Sequence, residues 1–298
     1  MPEPRRVGAA LYYGSLQALR VAAVRRRWCD AAVVLCYHNV IADDAPTGAP
    51  GLHVRLDRFS RQVRWLAAHY QIVPLGEFVR RRTNRTSPPL AAITFDDAYA
   101  GVFDHAAPLL ERLGVPWTVF VVADAAAGGS TGFWWDDPGV VGALTDARRE
   151  RWLRSLRGDG ASILADVRAP GTLPPPAYRA ADWTTIRAHA EGRMEIGVHS
   201  ATHRYLPALS DAELEHEVRA SRARIHRETG VWSEFFAYPY GLCDERVRAA
   251  VRNAGYRAAF GLDPRLNRAA GDRWMLPRVN IPSDLSASAF EAWTAGLH

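Results

Sequence analysis

The sequence predicts an α/β fold in which six to eight strand–helix units close, or nearly close, into a barrel. Three observations lead there. Short continuous apolar runs at 31–37, 91–95 and 117–122 read as strands buried on both faces, the pattern of a parallel sheet. Stretches of helical spacing alternate with them, as crossover units do. Five polar residues, His38, Asp96, Asp97, His199 and Tyr238, fall at or just past the C-terminal ends of such runs. That rim is where (β/α) barrels carry their sites.

The first 30 residues stand apart from a single domain spanning 31–298. Residues 7–24 are fairly apolar, but Gln17 and Arg20 interrupt them and Arg25, Arg26 and Arg27 follow. With Arg5 and Arg6 they make a basic amphipathic segment, too short and broken for a membrane span. It shows no small-residue cleavage site of a secretory signal. Such a segment either rests on a membrane surface through residues 1–27 or packs as a helix on the domain, and both readings stand. Cytoplasmic residence, at the inner membrane face, is the expectation.

Residues 31–37 form the first core strand, ending at His38, and 43–51 are a loop holding Pro46, Gly48, Pro50 and Gly51. Leu56, Phe59, Val63, Leu66 and Ala67 share one side of a helix over 56–70, with Asp57 as its start signal. A short strand at 71–73, a short helix at 75–82 and a polar connector at 83–89 lead to the strand at 91–95. Helical spacing over 101–113 stops at Gly114, with Pro116 just beyond. The strand at 117–122 runs into a small, glycine-rich loop at 123–132 and an aromatic-acidic patch at 133–137. Residues 138–192 read as an irregular helical insertion outside the core, broken over 158–176. The strand 194–198 ends in His199. A helix over 210–229 opens with Ser210 as N-cap and Glu213 completing a capping box. A strand at 235–238, a helix at 244–254 stopped by Gly255, a strand at 256–260 and the segment 274–281 complete the set.

Composition narrows the function. Of 298 residues, 48% are hydrophobic and 23% charged, enough for a large core. The net charge of +5 is mostly arginine, partly N-terminal, and no nucleic-acid-reading module accompanies it. Cys29, Cys36 and Cys243 are too few and scattered for a disulfide framework or a cysteine-type zinc site.

The chemistry begins at Asp96-Asp97. Two adjacent carboxylates at a strand end repel each other and resist losing water, which a nearby cation or solvent relieves. Neighbouring strand residues point to opposite faces, so one aspartate can bind an ion while the other handles a proton. A plain turn or helix N-cap also uses aspartate. His199 and His203, four apart, can converge on one point. Imidazoles with a carboxylate suit zinc, and also cobalt, nickel or iron, with positions left open for water.

Thr94-Phe95-Asp96-Asp97, then His199-Ser200-Ala201-Thr202-His203, then Phe236-Ala237-Tyr238-Pro239-Tyr240-Gly241 resemble, in order and interval, the NodB-homology polysaccharide deacetylases, carbohydrate esterase family four. The resemblance covers roughly 31–282. It implies a distorted (β/α) barrel of about seven parallel strands that removes N-acetyl groups from amino sugars with one divalent metal. It implies Asp97, His199 and His203 as metal ligands, Asp96 as general base and the Tyr238 N–H as oxyanion donor. Two positions depart from the commonest pattern. Most members have an arginine where Ala237 stands, and a C-terminal Leu-x-His where this chain reads Leu276-Pro277-Arg278-Val279. Cys36-Tyr37-His38-Asn39-Val40 is instead similar to the poly-N-acetylglucosamine deacetylase branch, which implies His38, kept as imidazolium, as acid. Arg278 is then the cation that steadies Asp96. Tyr99, Trp134, Trp135 and Tyr240 are the candidates for stacking on sugar faces. The partner expected is an N-acetylated amino-sugar glycan or glycolipid, with a phosphate-bearing lipid-linked sugar favoured by cationic residues at the opening. An amidase for another amide and an inactive glycan-binding module are the alternatives.

Overall fold

The structure, a computed structural model, describes residues 3–28, 32–46, 48–49, 51–84, 86–128, 132–169, 173–267 and 271–298; for 3–7, 26–28 and 128 it describes the backbone only. Cys29 and the side chains of Arg5, Arg6, Arg26 and Arg27 therefore lie outside the described residues.

Seven parallel strands make the barrel wall: β1 (Val33–Tyr37), β2 (Leu90–Phe95), β3 (Trp117–Val121), β4 (Met194–Val198), β5 (Phe235–Ala237), β6 (Ala258–Phe260) and β7 (Val279–Asn280). Their order is β7-β1-β2-β3-β4-β5-β6, and a short strand, Gln71–Ile72, pairs with β2 off this path. Leu276, just before β7, bridges Phe260 of β6 in parallel, with its N–H on Ala259 O at 2.9 Å. One segment, 276–280, thus pairs with both β6 and β1 and draws the sheet into a distorted (β/α) barrel.

Side-chain alternation sorts the strand residues into two cores. Val34, Ala92, Phe120, Phe235, Ala237, Ala258, Phe260 and Leu276 pack inside the barrel. Val33, Leu35, Ile93, Phe95, Val119, Ile196, Phe236 and Val279 pack outside, beneath the helices. Each large apolar side chain so buried contributes about 1.5–3 kcal/mol. Leu75, Phe78 and Val79, from the helix Leu75–Arg81, join the interior cluster at the N-terminal end of the wall. Gly197 is required: a Cβ there would lie 2.3 Å from the Phe120 ring.

Several elements differ from the sequence expectation. Asp57 does not cap its helix, Leu56–His69: the N-cap is Arg55, and the Asp57 N–H donates to Asp43 at 2.9 Å. The 123–132 stretch opens with a helix, Ala123–Gly128, whose alanines suit it and whose Ala123 and Asp124 N–H groups are held by Ser200 O and Ala201 O. The insertion proper is three short helices, Pro138–Ala143, Asp146–Arg154 and Gly160–Asp166, around a small core of Val140, Trp152 and Ile163. The third lies within the stretch read as a break, where Asp159 caps it through the Ser162 N–H. Trp183–Ala190, however, is not insertion but the crossover into β4, and it buries Trp183 and Ile186. A two-stranded parallel ribbon, Asn39–Ile41 with His53–Arg55, went unforeseen. The Ser210–Glu213 capping box is present, but one π-turn, His216–Ala220, interrupts the helix it opens.

The N-terminal segment folds as two helices, Glu3–Ala18 and Val21–Trp28. One side packs on the C-terminal helix Ala287–Thr294, with Trp293 Nε1 donating to the Tyr13 hydroxyl at 2.9 Å. Leu11, Tyr12, Leu19 and Val24 remain exposed. Among the described residues, no helix is long and apolar enough to cross a membrane.

Candidate active site

The site sits at the C-terminal rim, where alternation carries Cys36, Thr94, Asp96 and Arg278 inward. Five of the eight described non-glycine residues with left-handed φ cluster here: Asp97 (70°), Ala98 (59°), Ser200 (66°), His203 (58°) and Tyr240 (61°). Each such backbone costs on the order of 1–3 kcal/mol and needs neighbours to hold it. For the 199–203 turn those neighbours are visible. Ser200 Oγ accepts the His203 N–H at 2.9 Å. Glu217, buried in the π-turn, accepts the N–H groups of Ala201 and Thr202 at 2.9 Å each, and the Thr202 hydroxyl. The sequence held one signal for it: a glutamate on the helix side that Leu214, Val218 and Ser221 bury.

The turn brings His199 and His203 to Asp97. Both Nε2 atoms lie 3.6 Å from the same oxygen, Asp97 Oδ1. His199 Nδ1 is 2.8 Å from Ala237 O, so it carries the proton and leaves the Nε2 lone pair facing the site. Asp97 Oδ1 is buried without a hydrogen-bond partner. Burial first, then the charges of Asp96 and Asp136, push the Asp97 carboxyl well above its ordinary range. Burial likewise lowers both imidazoles. An orphaned carboxylate oxygen and two neutral imidazoles aimed at one point fit a divalent cation, and this donor set suits zinc, cobalt, nickel or iron.

Asp96 has a different environment. Arg278 clamps it with Nη1 on Oδ1 at 2.6 Å and Nη2 on Oδ2 at 2.8 Å, and the Cys36 thiol donates to Oδ2 at 3.3 Å. Burial would raise this carboxyl, but Arg278 and His199 outweigh it and hold it well below the usual range. Arg278 is fully buried, bonded also to Thr94 Oγ1 at 3.2 Å and seated over Phe120. The polar atoms of Cys36, His38 and Asp96 lie within 4.8 Å of one another. Burial pushes His38 down to about 4, so its resting imidazole is neutral near pH 7, contrary to the imidazolium expected.

Two expected residues take other roles. The Tyr238 N–H donates to Phe260 O at 3.0 Å, as part of the β5–β6 pairing, so it is not free for an oxyanion. Tyr99 is fully buried and stacks on nothing that enters from outside; its hydroxyl donates to Asp136 at 2.7 Å and accepts from Trp135 Nε1 at 2.7 Å. Asp136 also bonds His53 Nε2 at 2.8 Å. This network, unseen in the sequence, sets the Trp135 ring 4.5 Å from the ring of His203. Tyr240 flanks His203 from another side at 4.7 Å, its hydroxyl on His203 O. Trp134, Trp135 and Tyr240, with His38, both aspartates and both histidines, line a cavity of about 280 Å³.

Comparison with known proteins follows the same line. A family model described as polysaccharide deacetylase matches residues 83–259. The poly-beta-1,6-N-acetyl-D-glucosamine N-deacetylase of Staphylococcus epidermidis is 22% identical over 277 residues, 89% of this chain and 83% of its own. Its counterpart in Staphylococcus aureus is 20% identical over 82% of this chain and 73% of its own. Among solved structures, IcaB from Ammonifex degensii superposes with a TM-score of 0.62 at 20% identity, covering 89% of this chain and 97% of that one. The Streptococcus pyogenes deacetylase PplD, in complex with acetate, gives 0.62 at 15% identity, covering 87% and 96%. At these identities the superpositions establish the shared fold.

Proposed function

Because the chain belongs to the polysaccharide deacetylase family, we propose that it is a metal-dependent hydrolase removing N-acetyl groups from an amino sugar in a glycan or lipid-linked saccharide. The observation that carries this reading is the pair of imidazoles 3.6 Å from an orphaned Asp97 oxygen, beside an Asp96 clamped by Arg278. The relatives named for N-acetylglucosamine polymers support a ligand of that kind.

Asp97, His199 and His203 would hold the cation, which when bound would polarise a carbonyl and acidify water. Asp96 accepts the proton of the attacking water. Its low proton affinity makes it a brief carrier, and His38, with polar atoms within 4.8 Å, is placed to take the proton on. His38 then delivers it to the departing nitrogen, which cannot leave as an anion. For the oxyanion donor, the N–H groups of Tyr238, Gly241 and Leu242 are spent on carbonyls and Pro239 has none. The Tyr240 N–H is therefore the donor proposed, a contribution of about 3 kcal/mol in such arrangements.

The test is acetate release from N-acetylglucosamine oligomers by zinc- or cobalt-loaded protein, abolished by chelator and restored by metal. Oligomer binding without acetate would make the chain a glycan-binding module. Turnover of another amide alone would make it a different amidase.

A further inference from the structure

From the cavity wall we infer that the substrate is an amino sugar joined through phosphate to an apolar aglycone; this rests on the deacetylase reading above and deepens it. The cavity runs from His203 past Trp134 to a wall built by the insertion: Val140, Val141, Leu144 and Leu153. A chain of sugars needs hydrogen-bond partners along its length, and this wall offers almost none. The indole N–H of Trp152 is spent on Asp166 and that of Trp135 on Tyr99. Leu144 is 49% exposed at the mouth, an apolar surface for an apolar chain to cover.

Among the described residues, the one lysine or arginine lining this cavity is Arg149. It is exposed, near enough to Tyr240 to act on its hydroxyl, and has no carboxylate partner among the described residues. An unpaired guanidinium beside an apolar wall matches a phosphate followed by a hydrocarbon chain. One cavity thus brings together the Asp97, His199 and His203 set, an arginine and an apolar wall, the parts that an acetamido sugar, a phosphate and a hydrocarbon would each meet.

The test gives the full-length, metal-loaded protein five substrates. They are N-acetylglucosamine 1-phosphate, its farnesyl phosphodiester, the octyl glycoside, a β-1,6-linked pentamer and N-octanoylglucosamine. The farnesyl phosphodiester is expected to exceed every other in kcat/KM by at least tenfold. Leu144→Gln combined with Val141→Asn should cut its advantage over the 1-phosphate at least fivefold. Arg149→Gln should cut its advantage over the octyl glycoside by a similar factor. Circular dichroism and thermal melts confirm that the variants fold, and quenching of tryptophan fluorescence by farnesyl phosphate reads binding independently of turnover. A pentamer turned over as well as the phosphodiester overturns this inference and leaves the deacetylase reading standing. N-octanoylglucosamine as best substrate also overturns it, assigning the wall to the acyl chain. No amide cleavage from any of the five overturns both.

Discussion

Asp97 is a carboxylate whose surroundings oppose its charge, through burial first and then the charges of Asp96 and Asp136. Its raised proton affinity means that its contribution to stability is full below the ordinary aspartate range and is lost as pH rises through the folded value. The metal-free protein should therefore gain stability at pH 7 on Asp97→Asn, with the gain shrinking toward pH 4, as thermal melts would read. Elemental analysis of the same variant should show metal lost. Wild-type metal content in it would remove Asp97 as a ligand. Asp96→Asn should keep the metal and lose about 10²–10⁴ in turnover. Arg278→Leu leaves Asp96 buried and unpaired, and should cost about 3–5 kcal/mol in denaturant unfolding. At this scale the sequence was informative wherever chemistry needs an uncommon residue set, as at Asp96-Asp97 and His199 to His203. It was silent on the Tyr99–Asp136–His53 network, whose members lie as far apart as 83 positions and meet only in the fold.

The turn between His199 and His203 shows what an element adds. Two left-handed residues, Ser200 and His203, set the imidazoles, and Glu217 reaches across from the next helix to hold the backbone between them. Glu217→Ala should lower metal affinity about 10–100-fold, as loss of a supporting contact does at metal sites. Glu217→Gln keeps one acceptor oxygen and should recover part of it in calorimetric titration with zinc; equal affinity in all three proteins would reduce Glu217 to a structural role. Gly197→Ala drives a methyl into Phe120 and should destabilise by about 1–3 kcal/mol in chemical denaturation. The wall strands were legible because their runs are apolar, and the 210–229 helix because its capping box is local. The π-turn within that helix and the helix at Ala123–Gly128 were not. The first depends on what Glu217 meets in three dimensions. The second has glycines beside its alanines, and tertiary contacts such as the Ala123 N–H on Ser200 O decide between loop and helix.

At the scale of the whole molecule, the N-terminal helices pack on the C-terminal helix Ala287–Thr294. Their outer side still presents Leu11, Tyr12, Leu19 and Val24 with Arg20 nearby, a composition that favours an anionic lipid surface. The full chain should float with vesicles containing anionic lipid. Leu11→Glu with Leu19→Glu should abolish flotation without altering the melting temperature by more than a degree or two. Flotation unchanged by both substitutions would place any lipid contact elsewhere. The barrel and its near closure were legible as a count of alternating units, but the double pairing of 276–280 was not, because 274–281 is too short and too proline-broken to read as a shared strand. That segment shuts the wall between β6 and β1 and, within the same five residues, delivers Arg278 to Asp96. A chain ending before residue 276 would keep Asp97, His199 and His203 but lack Arg278, leaving Asp96 without its counter-charge, so C-terminal clipping is expected to abolish turnover.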